Sequence, residues 1–171
     1  MPRLYSKWSH KTTSGILVPI PIGVSKSKVR SKKSPIRLTI HVDKKASTLV
    51  ANEDNLTSQL IAACRQLLVQ LEAGAVPGNF WQSNGLGVSE VYRPAIKAYV
   101  LNVRYPCLEK HVSRRREFYV GTENTKGAHY PTVFKVASEY RTERLNEYRE
   151  WFKQQTLETI EALKGAINEN Q

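Results

Sequence analysis

The side chains with recognisable chemistry in this chain are basic and amide groups set at alternate positions along short apolar runs. In Ile36-Arg37-Leu38-Thr39-Ile40-His41-Val42 the polar positions are Arg37, Thr39 and His41. In Tyr99-Val100-Leu101-Asn102-Val103-Arg104-Tyr105 they are Asn102 and Arg104, which share their parity with Val100. A strand sends every second side chain to the same side, so each run predicts one apolar and one polar face. Arg and Asn have the geometry for paired hydrogen bonds to guanine and adenine edges, and Thr or Val can meet a thymine methyl. Further basic residues surround both runs. Lys26, Lys28, Arg30, Lys32 and Lys33 precede the first; Arg93 and Lys97 precede the second, and Arg114, Arg115 and Arg116 follow it. Groups of this kind suit phosphate contacts, which fix register while base contacts specify sequence.

Catalytic spacing is missing from the same inventory. His10, His41, His111 and His129 are scattered, and the only aspartates are Asp43 and Asp54. A nuclease needs clustered carboxylates or histidines around a metal. The Glu53-Asp54 pair reads more simply as the acidic start of a helix, favoured by the helix dipole. Cys64 and Cys107 lie far apart with no ligand spacing near them, so neither a zinc site nor a disulfide scaffold is expected. The reading is of a protein that is not an enzyme and uses no catalytic residue, metal, cofactor or small-molecule substrate.

Charge points to the partner. The net charge is +11, and residues 1–50 hold eleven Lys or Arg against one acid, whereas residues 131–171 hold six against seven. A basic face beside a near-neutral tail suits a polyanion, most often nucleic acid. No apolar run approaches the ~18 residues of a membrane span, and the N-terminus has no signal-peptide core. A soluble, cytoplasmic and nucleoid-associated protein is expected.

The elements that must hold these residues occur twice. Ile22-Gly23-Val24-Ser25 and Leu86-Gly87-Val88-Ser89 each open a stretch of strand, strand, short strand and helix. The expected organisation is a basic arm at 1–14, a first module at 15–74, a linker at 75–85 and a second module at 86–171. Ile16 to Val24, broken by Pro19 and Pro21, is expected as an edge strand, because proline cannot donate to a ladder. Residues 26–34 are expected as a basic hairpin loop. Leu56, Leu60, Ile61, Cys64, Leu67, Leu68 and Leu71 recur at helical spacing, and Gly74 ends that helix. Pro131 is placed in the first turn of a second, long helix that runs to about residue 165. The fold class is therefore α+β: two three-stranded antiparallel sheets, each packed on a helix, with a long C-terminal helix. Tyr99, Leu101, Val103 and Tyr105 are expected to face the core, leaving Val100, Asn102 and Arg104 exposed. The stripe Leu145, Tyr148, Trp151 and Phe152 extends beyond what one small sheet covers, and is expected to pair two chains into a homodimer.

Gly87-Val88-Ser89, the strand Lys97–Arg104, the run Arg116-Glu117-Phe118-Tyr119-Val120-Gly121-Thr122 and the following helix resemble the ethylene-response-factor (Apetala-type) DNA-binding domain, which also occurs in phage homing endonucleases and integrases. The resemblance covers residues 86–140 and, more weakly, 22–72, where Ala51-Asn52 stands in place of Gly-Thr. It implies DNA contacts from Arg93, Lys97, Asn102 and Arg104. By the same logic, Lys26, Lys28, Arg37, Thr39 and His41 serve the first copy. The expected function is sequence-specific binding of double-stranded DNA, as a repressor acting by occupancy and derived from a homing-endonuclease-type DNA-binding region. The competing class is a non-enzymatic RNA-binding or phage assembly protein. RNA binding usually displays aromatics on the sheet face.

Overall fold

The structure is a computed structural model, and it describes residues 6–11, 17–21, 23–28, 36–42, 45–75, 87–108 and 113–168. The fold is α+β, with two three-stranded antiparallel sheets, a helix after the first and a long helix after the second. Two compact units divide it: residues 1–78 together with 151–171, and residues 79–150.

In the first unit, β1 (Ser6–Lys11) pairs with β2 (Leu17–Pro21) as a two-stranded ribbon, and β3 (Val24–Lys28), β4 (Ile36–Val42) and β5 (Lys45–Ala51) form a sheet in that order. Residues 6–11 are a paired strand rather than a free arm, and Leu17–Pro21 is an edge strand as expected, although of this ribbon rather than of the three-stranded sheet. Gly23 takes a left-handed φ of +85°, which breaks the Ile16–Val24 run. The prolines stay in the ribbon, and the sheet begins at Val24, so Lys26 and Lys28 lie in a strand rather than in a hairpin loop. Helix α1 (Leu56–Glu72) lies against β4 and β5. Leu56, Leu60, Ile61, Cys64, Leu67 and Leu71 are buried, while Leu68 is only half-buried. Gly74, at φ +93°, ends the helix as its spacing suggests.

The second unit repeats the plan with β6 (Val88–Arg93), β7 (Ala98–Pro106) and β8 (Ser113–Gly121), in that order, and α2 (Lys126–Asn168). Val88, Leu101, Val103, Val120 and Ala137 make its core, flanked by Tyr99, Phe118, Tyr130, Val133, Phe134 and Tyr140. The same turn links third strand to helix in both copies. Asn52 N–H donates to Asn55 Oδ1 at 2.8 Å, and Thr122 N–H donates to Thr125 Oγ1 at 3.0 Å. Helix α2 thus begins at Lys126, a turn before Pro131, because Thr122 and Thr125 close that turn first. Pro131 sits inside the helix, where its missing N–H gives up one backbone bond.

From Trp151 onward α2 belongs to the first unit. Phe152, Thr156, Thr159, Ile160 and Leu163 are buried there, and Phe152 and Leu67 both lie against Gly23. The two threonines are satisfied inside the helix, Thr156 Oγ1 donating to Phe152 O and Thr159 Oγ1 to Gln155 O, both at 2.8 Å. The expected dimer stripe is therefore largely spent within one chain. Tyr148 is 3% and Phe152 2% exposed, leaving only Leu145 and Trp151 half-exposed.

Candidate nucleic-acid interface

The two sheets can be aligned residue by residue through their hydrogen bonds. His41 N–H donates to Gly23 O at 2.9 Å, and Arg104 N–H donates to Gly87 O at 3.2 Å. Val24 pairs with Ile40, and Val88 with Val103. Position for position, His41 matches Arg104, Thr39 matches Asn102, and Arg37 matches Val100. Gly87 has a structural reason to be glycine: its φ is +66°, and a Cβ there would clash with the Arg141 guanidinium. Arg141 Nε in turn donates to Arg104 O at 3.2 Å, anchoring the central strand to α2. Burial lowers the pKa of Arg141 from its ordinary value.

On the first sheet, Ile36, Leu38 and Ile40 are buried on the helix side, and Arg37 and His41 are exposed on the other, with Thr39 half-buried between them. Cross-strand pairing puts Ser25 and Thr48 beside Thr39, and Ser27 and Val50 beside Arg37. Ser25 Oγ and His41 Nε2 are hydrogen-bonded at 2.9 Å. This face is small, polar and open. Lys26 stands opposite Leu38, so its strand position belongs to the helix side, contrary to its expected place beside the reading face. The backbone of Lys28 pairs with Ile36. Arg30, Lys32 and Lys33 lie outside the described residues.

The second sheet departs further from expectation. Its outer face carries Ser89, Val91 and Arg93 on β6, Val100, Asn102 and Arg104 on β7, and Arg115, Glu117 and Tyr119 on β8. Arg104 is exposed, as expected, but Val100 is 3% and Asn102 9% exposed. An ion pair spans this face, from Arg93 at the register of Ala98 to Glu117 at the register of Asn102. Arg93 Nε donates to Glu117 Oε2 at 3.3 Å, and Nη2 pairs with Oε1, so the bridge runs from β6 to β8 over β7. Arg93 is therefore not a free phosphate ligand. With side chains 42% and 40% exposed, such a pair contributes only ~0.2–1 kcal/mol. Asn102 Oδ1 is buried without a hydrogen-bond partner.

The three consecutive arginines of β8 divide between the two faces. Arg115 stands directly opposite Arg104 on the outer face, whereas Arg114 pairs with Tyr105 and Arg116 with Val103 on the helix side. The Arg116 guanidinium sits 4.5 Å from the centre of the Tyr140 ring, with Arg144 at 5.3 Å. Burial alone would raise the Tyr140 phenol, but Arg116, Tyr105 and Arg144 outweigh it and hold its pKa below the usual value. Lys97 ends a short 3₁₀ turn (Pro94–Ile96) at φ 47° and is exposed at the rim of the sheet.

Sequence reasoning missed two outer-face residues. Glu117 and Tyr119 follow the arginine run and read as ordinary strand positions until register places them beside Asn102 and Val100. Tyr119 is 58% exposed. Among the described residues, no group of three or more His, Cys, Asp or Glu is placed to hold a metal ion, and no helix is long and apolar enough to cross a membrane. No protein-family model, curated protein or solved structure matches this chain.

Proposed function

We propose that this protein binds double-stranded DNA in a sequence-selective way, laying the helix-averted faces of its two sheets against the duplex and acting by occupancy as a repressor. The observation that carries the reading is the Arg104–Arg115 pair. Two exposed arginines are cross-strand partners on this face, and no acid partners either of them among the described residues. Like charges opposite each other destabilise a sheet. A phosphate or a guanine edge between them converts that repulsion into binding. The matching position of the first sheet holds His41, and the net charge of +11 adds a polyanion-attracting field. The resemblance to the Apetala-type domain supports the same reading, because there too a three-stranded sheet backed by a helix presents its polar face.

Tyr119 favours a second reading. An exposed ring on a basic sheet face is a platform on which unpaired bases stack, as in single-stranded DNA or RNA recognition. Competition separates the two. Duplex DNA is expected to displace a labelled duplex far better than single strands of the same sequence do. Preferential displacement by single-stranded RNA or DNA, weakened by Tyr119→Ala, would replace the duplex reading with the stacking one.

A further inference from the structure

A duplex on the outer face of the second sheet leaves two arginines of β8 unused. Arg114 and Arg116 are both exposed, two residues apart on the helix side of an edge strand. No acid pairs with either of them among the described residues. The nearby acids of α2 are spent elsewhere, Glu143 and Glu147 pairing with Arg144 at 3.3 and 2.7 Å. Arg116 is also held in place. Its guanidinium lies 4.5 Å from the centre of the Tyr140 ring and 5.2 Å from that of Phe118. A guanidinium stacked in this way spends its face on the rings and keeps its N–H edge for an oxyanion. Burial would raise the Tyr140 phenol, yet Arg116, Tyr105 and Arg144 hold it below its ordinary pKa, as a positive local potential requires.

Building on the duplex-binding reading, we infer that Arg114 and Arg116 form a second phosphate-binding surface, which takes the backbone of another DNA segment while the outer face holds the first. Alternation separates the two surfaces, because neighbouring side chains of one strand leave opposite sides of the sheet. Arg104 and Arg115 stand on the outer side, and Arg114 and Arg116 on the side of α2. The stack on Tyr140, a residue of α2, keeps Arg116 there, so a duplex on the outer face does not recruit it. Phosphate contacts carry no sequence information, so the second segment is taken without selection. The first duplex brings its own continuation to a high local concentration, which favours capture of a neighbouring stretch of the same DNA. One chain can thereby hold two segments together.

The test uses the full chain, the double variant Arg114→Ala/Arg116→Ala and the single variant Arg114→Ala, with thermal melting to show that each folds. Arg114 is exposed and outside the Tyr140 stack, so the single variant keeps the test open if the double one melts early. A short labelled duplex is added in excess, and the duplexes carried per chain are counted by analytical ultracentrifugation over a range of salt. The wild type should carry one duplex more than the double variant, with the tightest binding event unchanged between them. Arg114→Ala should weaken the additional event and flatten its log–log salt slope by about 0.9, the signature of one lost phosphate contact. If the wild type carries a single duplex, or if the variants carry as many as the wild type with the same slopes, the second surface is wrong and the duplex reading stands. If the wild type binds no duplex at all, both fall together.

Discussion

At Arg104 alternation, exposure and cross-strand pairing agree, and the consequences of changing it are direct. Arg104→Ala is expected to weaken binding to an enriched duplex by ~1–3 kcal/mol and to relax preference at one base position, as is Arg37→Ala on the first sheet. Both arginines were legible from the sequence, because a period of two assigns a face without knowledge of the neighbours. Asn102 was not. Its alternation places it outward correctly, but it is only 9% exposed, and its cross-strand neighbours Ser89 and Glu117 are fixed by the register of two other strands. Gly87 illustrates a different limit. The sequence marks it as the start of a repeat, whereas the structure gives the reason: a left-handed φ and the Arg141 guanidinium where a Cβ would stand. Gly87→Ala should therefore destabilise the fold by ~1–3 kcal/mol in urea titration, more than Gly74→Ala, where a Cβ meets open space. Tyr148 contributes to the loss of stability at alkaline pH, as does the Cys64 thiol, which burial also pushes up to about 12. Burial pushes the Tyr148 phenol up to about 12 from an ordinary 10, so the unfolded chain releases this proton first. The resulting stability is fully present below pH 10 and is lost as pH rises towards 12, a loss of up to ~3 kcal/mol that melting in this window measures. Tyr148→Phe should flatten that part of the profile.

At the scale of elements, the helices were the easiest to read and the first sheet the hardest. The α1 stripe from Leu56 to Leu71 announces itself by spacing, and Gly74 closes it. Strand order in the second module followed as expected, but its third strand, Ser113–Gly121, is nine residues long rather than short and takes in Arg114 and Arg115. In the first module the glycine at position 23 moved the start of the sheet, sending Leu17–Pro21 into a ribbon with Ser6–Lys11, a pairing that no local pattern signals. The turn Ala51–Asn55 shows why the two modules match despite different residues. An Asn pair performs in one copy the hydrogen bonding that Thr122 and Thr125 perform in the other. Thr125→Ala should cost ~0.5–2 kcal/mol of stability, as the loss of a helix-start hydrogen bond does. The C-terminal stripe was legible as apolar but not in its destination, since periodicity cannot tell an intramolecular seat from a second chain. Phe152→Ala should destabilise the protein by ~3–5 kcal/mol, with sedimentation unchanged, because Phe152 packs on Gly23 of its own chain. A shift in oligomeric state at unchanged stability would restore Phe152 to a dimer seam.

For the whole molecule, the proposed duplex binding draws on the positive charge of the N-terminal third and of the arginine-rich β8, and the question is what selectivity is built on top. Non-specific attraction should follow ionic strength, with ~0.9 of log–log slope per phosphate neutralised. Sequence preference should follow the outer faces of the sheets, where Arg37, Thr39, His41, Asn102 and Arg104 stand at matched positions of a repeated plan. The most direct measurement is selection from a random duplex library at near-physiological salt, repeated with Arg104→Ala. A consensus from the wild type, with degeneracy appearing at one position in the variant, is the result expected of a duplex reader. Recovery of no consensus, or the same consensus from both proteins, would contradict it.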